Sequence, residues 1–175
     1  MSVLMQRPQT LVDVYRLLPE GTPIQVINNQ FYMSPSPNFL HFDVLDKISD
    51  ALKEEVKKLN CGRIFFAPLD VFFGTQNAVQ PDIFFISNNN NKLIKEDGIY
   101  GAPDLIVEIL SPGNRNADLV KKKAVYEQFG VKEYFIVDPV DKSVLCYYLK
   151  NGKYAEVKKQ KAKFASKLLN KTFIF

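Results

Sequence analysis

Three side chains in this sequence have the types and the setting for phosphate or metal chemistry. Residues 103–112 read PDLIVEILSP, an aliphatic run that carries Glu108 at its centre and Asp104 at its start. Along a strand, side chains alternate faces, so Asp104, Ile106, Glu108 and Leu110 share one face and Leu105, Val107 and Ile109 the other. An uncompensated carboxylate in such surroundings costs several kcal/mol and calls for a proton, an ion pair or a metal. A second acid, Asp82, follows Pro81 in QPDIFFIS and begins a strand of its own. If the two strands are neighbours, Asp82 and Glu108 approach each other, and two converging carboxylates suit a hard divalent cation. Asp82 and Asp104 also have a plainer reading as strand-start residues that hydrogen-bond backbone. Glu108 lies mid-strand, where a capping role is not open to it.

A positive charge comes from the next helix. Asp118, Lys122 and Tyr126 are spaced i, i+4, i+8 and form one stripe, whereas Lys121 and Lys123 are each turned about a hundred degrees away. A surface ion pair between Asp118 and Lys122 is the alternative for this lysine.

These groups need elements to hold them. TLVDVYRLLPE predicts a short helix capped by Thr10 and ended by Pro19. IQVINNQFYMSP predicts a hairpin, since Asn28-Asn29 tolerates the positive φ of a tight turn. In the following segment, Phe39, Val44, Ile48, Ala51, Leu52, Val56 and Leu59 recur at helical spacing and predict a long amphipathic helix with an apolar face. GRIFFAPLDVFFGTQNAVQPDIFFIS predicts adjacent strands divided by Pro68, Gly74 and Pro81, and NNNNKLIKEDG a polar loop. After the Glu108 strand, a helix from about Asn116 to Phe129 ends at Gly130. EYFIVDP, SVLCYYL and KYAEV are further strands, the last two joined at Lys150-Asn151-Gly152. The strand, helix, strand succession implies a crossover, and the class is α/β or α+β with a central mixed sheet flanked by helices.

Bulk properties fit one domain spanning 1–175: the chain is 46% hydrophobic and 13% aromatic. No run approaches the roughly 20 apolar residues of a membrane span, and the first residues are unlike a secretory signal, so a cytoplasmic protein is expected. Cys61 and Cys146, far apart and without CxxC spacing, indicate neither a zinc site nor a disulfide framework and read as ordinary core or strand residues. Net charge is +4, but residues 150–171 hold eight lysines against the single acid Glu156, a local +7 that leaves −3 elsewhere. That segment is either an electrostatic hold on a phosphate backbone or a solvated edge.

The string GAPDLIVEILSPGNRNADLVKKKAVYEQFGVKEYFIVDP, with QPDIFFIS and MSPSPNFLH upstream, resembles the Uma2 or DUF820 family, a group classed as endonucleases within the PD-(D/E)XK nuclease superfamily. The resemblance runs from about Thr10 to Tyr148. It implies a restriction-endonuclease-like core with added N-terminal and C-terminal hairpins, DNA as substrate, and Mg²⁺ or Mn²⁺ as cofactor. Asp82 and Glu108 match the two acids of the superfamily signature. The lysine normally two residues beyond the second acid is absent, because Leu110 stands there, and Lys122 matches the lysine that some relatives offer from the following helix. The metal ligands implied are Asp82, Glu108 and the backbone carbonyl of Ile109. Asp118 and Tyr126 are then expected to position Lys122 or to pack the helix, and His41 to support the metal or to cap its helix. Where relatives commonly read E-L-I-D-G-E in the first hairpin, this chain has Gln25, Val26, Ile27, Asn28, Asn29 and Gln30. Gln25 retains one uncharged carbonyl oxygen, a weaker ligand than a carboxylate. A site altered in this way also fits a catalytically weakened nucleic-acid-binding or self-associating protein. Cutting both strands with one site per chain implies a homodimer.

Overall fold

The computed structural model describes residues 7–19, 21–34, 36–111 and 117–175, apart from the side chains of 117, 118 and 156–158. Helix α1 (Leu11–Tyr15) starts at Thr10, whose hydroxyl accepts from the Asp13 N–H while the Asp13 carboxylate accepts from the Thr10 N–H. This reciprocal pair satisfies two of the donors a helix start leaves open. Strands β1 (Ile24–Ile27) and β2 (Gln30–Met33) form the expected hairpin, with Asn28 and Asn29 at φ 51° and 54°. Helix α2 (Phe39–Leu59) is capped at Asn38 and ends at Asn60 in left-handed conformation.

The segment predicted as adjacent strands divides between two sheets. Strands β3 (Gly62–Phe66) and β6 (Ile83–Ser87) pair antiparallel in one sheet, while β4 (Val71–Phe73) and β5 (Asn77–Val79) form a hairpin in the other. The runs VFF and NAV are buried throughout, so no alternation signals which face or partner each takes. The polar loop that follows is itself structured: a 3₁₀ helix (Asn88–Leu93) leads into β7 (Ile94–Lys95), paired with β8 (Gly98–Tyr100). Next come β9 (Leu105–Ile109), π-helical turns (Ala117–Lys122), α3 (Lys123–Phe129) and β10 (Glu133–Val137). Strands β11 (Ser143–Lys150), β12 (Lys153–Lys161), β13 (Lys163–Ser166) and β14 (Lys171–Ile174) complete the chain.

The fold is thus α+β with mixed sheets, and the single central sheet expected from the sequence is two. One sheet runs β12-β11-β10-β9-β6-β3, the other β2-β1-β5-β4-β8-β7, with β13-β14 as a separate hairpin. In the first, β9 and β10 are parallel neighbours and the chain between them contains α3, which is the crossover unit. Leu105, Val107 and Ile109 face α2, whose Ile48 and Leu52 are fully buried, together with Phe164 and Phe173 of the C-terminal hairpin. Ile106 and Leu110 face the other way, onto Phe73, Tyr126 and Tyr134. With both faces covered, β9 is buried along its whole length. The α2 stripe overruns its sheet at each end: Phe39 is 81% exposed and Leu59 46%, so neither is the core residue its spacing implied.

Most of the lysine-rich C-terminal segment lies on β12 to β14, and several of its charges are answered locally. Lys171 reaches Glu55 at 2.6 Å, Lys153 reaches Glu127 at 3.0 Å, and Lys167 lies over the Tyr148 ring. Glu133, buried at the start of β10, ties this segment down by accepting from the Ser166 hydroxyl and the N–H groups of Lys167 and Leu168. Burial pushes its carboxyl above the ordinary range despite these donors. The folded chain therefore holds the Glu133 proton more tightly than the unfolded chain, and stability falls as pH rises from about 4.5. Glu133→Gln is expected to flatten that part of a urea-midpoint against pH profile. Glu133→Ala, which strands the donors, should cost about 1–3 kcal/mol at neutral pH.

Candidate active site

Strand pairing places the two acids together. The register Ile83↔Val107 continues to set Asp82 opposite Glu108, and antiparallel partners carry their side chains on the same face. Both line a cavity of about 550 Å³ that also includes Gln25, His41, Ile109 and Lys122. Asp82 Oδ2 accepts from the Ile109 N–H at 2.6 Å and lies 3.2 Å from His41 Nε2. In extended backbone the N–H and C=O of one residue point to the same edge, so the Ile109 carbonyl faces the Asp82 side.

Glu108, 1% exposed, is answered from the helix side. Its Oε1 accepts from Lys122 Nζ at 2.9 Å and from the Tyr126 hydroxyl at 2.7 Å. Lys122 is itself 3% exposed and Tyr126 fully buried, so the pair of charges is a buried one. The i, i+4 relation of Lys122 and Tyr126 holds across the start of α3. Before Lys122 the backbone winds as a π-helix, closing i→i+5, which rotates earlier residues off an α-helical stripe. The Asp118 side chain, and the expected start of the helix at Asn116, lie outside the described residues.

His41 sits in the first turn of α2, its N–H bound by the Asn38 side chain at 3.0 Å and its ring 6% exposed. Its backbone makes the helix-start hydrogen bond, and its ring reaches Asp82, the contact that a supporting role would use. Nδ1 has no hydrogen-bond partner among the described residues. Gln25 is in the cavity wall, but both ends of its amide are engaged. Its Oε1 accepts from the Gln80 N–H at 3.1 Å, and its Nε2 donates to the Ser34 hydroxyl. Gln80, which sequence reasoning missed, also ties Asp70 and the Tyr15 hydroxyl to this wall. Only its place two residues before Asp82 hinted at it. Asp104 takes the plainer of its readings, at the far end of β9. It accepts from the Ser87 N–H at 2.8 Å, from Asn90, and from Lys132 at 2.6 Å. Burial raises its carboxyl, but these donors outweigh that and hold it below the ordinary range. None of the described residues 150–171 lines the cavity.

The donor set can be judged for a cation. Among the described residues, no three His, Cys, Asp or Glu side chains converge as a ligand set. Two facing carboxylates and a backbone carbonyl are hard oxygen donors, and Mg²⁺ or Mn²⁺ sites commonly use one or two carboxylates with water and phosphate oxygens for the rest. The residues fit such an ion and do not fit a closed zinc site. Adding charge here should strengthen cation binding. Gln25→Glu is expected to raise Mn²⁺ affinity by at least about tenfold in a calorimetric titration, and to lower stability in metal-free buffer through repulsion among three acids.

No curated protein matches the chain at a significant level. A solved structure from Anabaena variabilis ATCC 29413, described as "a putative nuclease belonging to DUF820", is similar over 93% of this chain and 92% of that one, with a TM-score of 0.75 and 22% identity. That likeness establishes the fold. The family model "Uma2: Putative restriction endonuclease" matches residues 11–169, and on that match the chain belongs to the Uma2 family of nuclease-like proteins.

Proposed function

We propose that the chain is a divalent-cation-dependent DNA endonuclease in which Asp82, Glu108 and the Ile109 carbonyl hold the cation and Lys122 assists. The observation that carries this reading is the convergence, in one cavity, of Asp82 and Glu108 from facing strands with the Lys122 ammonium 2.9 Å from Glu108. A bound Mg²⁺ or Mn²⁺ supplies positive charge to the scissile phosphate and lowers the pKa of a water. Lys122 places an ammonium where negative charge grows on the phosphate, and its fixed geometry means no reorganisation at the moment of reaction. Tyr126 holds the Glu108 carboxylate in place, as the Ile109 N–H and His41 hold Asp82. Purified protein with Mn²⁺ is expected to nick or linearise plasmid, and chelation to stop it.

A second reading has an observation of its own. The Gln25 amide, spent on Gln80 and Ser34, brings no charge to the cavity, which favours a nucleic-acid-binding protein with weakened catalysis. Plasmid, linear and single-stranded DNA all left intact at high protein concentration, with binding that falls steeply with salt, decides for this one. A homodimer belongs to the reading in which both strands of a duplex are cut together. Sedimentation of the native chain tests it.

A further inference from the structure

The mouth of the Asp82–Glu108 cavity carries groups that phosphodiester chemistry does not need. Phe42 lines it while remaining 59% exposed, and Phe39, one turn earlier on α2, is 81% exposed. Leu40 between them is 46% exposed. Single exposed apolar side chains are ordinary, but exposed rings gathered on the helix turn beside a cavity that holds two carboxylates mark a contact surface. Cations accompany aromatic rings at Phe66 on the cavity wall and at Tyr32 on the strand paired with that of Gln25. Phe66 lines the cavity, and Lys53 Nζ lies 4.5 Å above its ring. Tyr32, register partner of Gln25, carries Lys121 Nζ 4.0 Å from its ring centre and 2.7 Å from its hydroxyl. Lys53 also approaches Asp50 at 3.8 Å, but both are largely exposed and such a pair is weak. Asp43 is matched by Lys47 at 2.6 Å, and Asp46, exposed one turn beyond Phe42, keeps phosphate off that part of the helix.

We propose that this mouth is a stacking platform for unpaired nucleobases: bases lie on Phe42 and Phe39 while strand phosphates meet Lys53 and Lys121, so the preferred substrate has a single-stranded segment at the site. The proposal rests on the nuclease reading for the cavity below. Exposed aromatics set among cations are the working parts of surfaces that hold single strands. A regular duplex keeps its base faces stacked inside and offers nothing to Phe39 or Phe42. An apolar partner surface, such as a second copy, would use the rings but would make no use of the Lys53 and Lys121 charges. A chain that cuts one unpaired strand also needs only one site, so this substrate does not require the dimer.

Fluorescence anisotropy tests the platform with labelled oligothymidylate against a duplex of equal length, in chelator so that nothing is cut. The native chain should bind the single strand at least about tenfold more tightly. Phe42→Ala should weaken that binding roughly five- to a hundredfold, while Phe42→Trp keeps it. Phe42 is exposed, so both variants should melt as the native chain does. Equal affinity for single strand and duplex, or no change in Phe42→Ala, overturns the proposal. So does a dimer that Phe42→Ala splits in sedimentation, which would make the patch a contact between copies. Single-stranded DNA cut equally fast by native chain and Phe42→Ala keeps the nuclease reading and removes the platform. Single-strand binding lost in Phe42→Ala, with no cleavage by the native chain, does the reverse.

Discussion

Glu108→Gln is expected to yield a folded protein whose cleavage of DNA falls by at least about a thousandfold. The amide oxygen still accepts from Lys122 and Tyr126, at the positions where Glu108 Oε1 now lies 2.9 and 2.7 Å from them. On the proposed reading, what disappears is one of two charges that would face the cation. A catalytic divalent ion would supply several kcal/mol of transition-state charge stabilisation, and about 4 kcal/mol corresponds to three powers of ten in rate. Binding to DNA should survive, because phosphate contacts elsewhere do not use this carboxylate. Some stability goes with it, about 1–3 kcal/mol, since Lys122 at 3% exposure loses its charged acceptor. The measurements are plasmid cleavage in Mn²⁺, calorimetric titration of Mn²⁺, and urea unfolding on the same preparation. Cleavage within tenfold of native would remove Glu108 from the chemistry, and equal heats of Mn²⁺ binding would remove it from the cation.

Lys122→Met has the largest expected effect on stability, a loss of about 3–5 kcal/mol. The methionine fills the space of the lysine stem, so little packing is lost. The cost comes from leaving the Glu108 carboxylate, 1% exposed, without its nearest cation. Adding Glu108→Gln to this variant removes the stranded charge, and the double variant should return to within about 1–2 kcal/mol of the native chain. Neither variant should cut DNA, since loss of one donor aimed at developing charge costs about a hundred- to a thousandfold. Stability restored without activity separates what the ion pair does for the fold from what Lys122 does for catalysis. A double variant as unstable as Lys122→Met alone would show that the lysine stem, rather than charge balance, holds this part of the helix.

These side chains could be read from the sequence to different depths. Glu108 was legible because an acid inside an aliphatic run violates the pattern of a buried strand, and such a violation needs compensation. Lys122 was less legible: its spacing with Tyr126 put both on one stripe, but a surface ion pair was the preferred reading of its spacing alone until burial was known. The π-helical winding before Lys122 follows from no periodicity in ADLVKK. Gln25 was noticed as a departure from its relatives. That its amide is consumed by Gln80 and Ser34 depends on a strand pairing, β1 with β5, that brings residues 55 positions apart together. Phe42 was overlooked because helical spacing sorts residues by face but does not say where the partner surface stops. Phe39 shows the same limit, counted toward the core and found mostly in water.

Local patterns by themselves determined the long helix, the hairpins at Asn28-Asn29 and Asn151-Gly152, the strand carrying Glu108 and the order of strands around the crossover. Each depends on periodicity, capping or turn chemistry within a few residues. Only the tertiary structure decided that residues 62–87 serve two sheets, that Asp82 stands opposite Glu108, and that both open into one cavity with Lys122. The physical reason is that strand partners are chosen by hydrogen bonds and packing across long loops. Fully apolar strands such as VFF and NAV fit more than one neighbour equally well until the whole core is assembled.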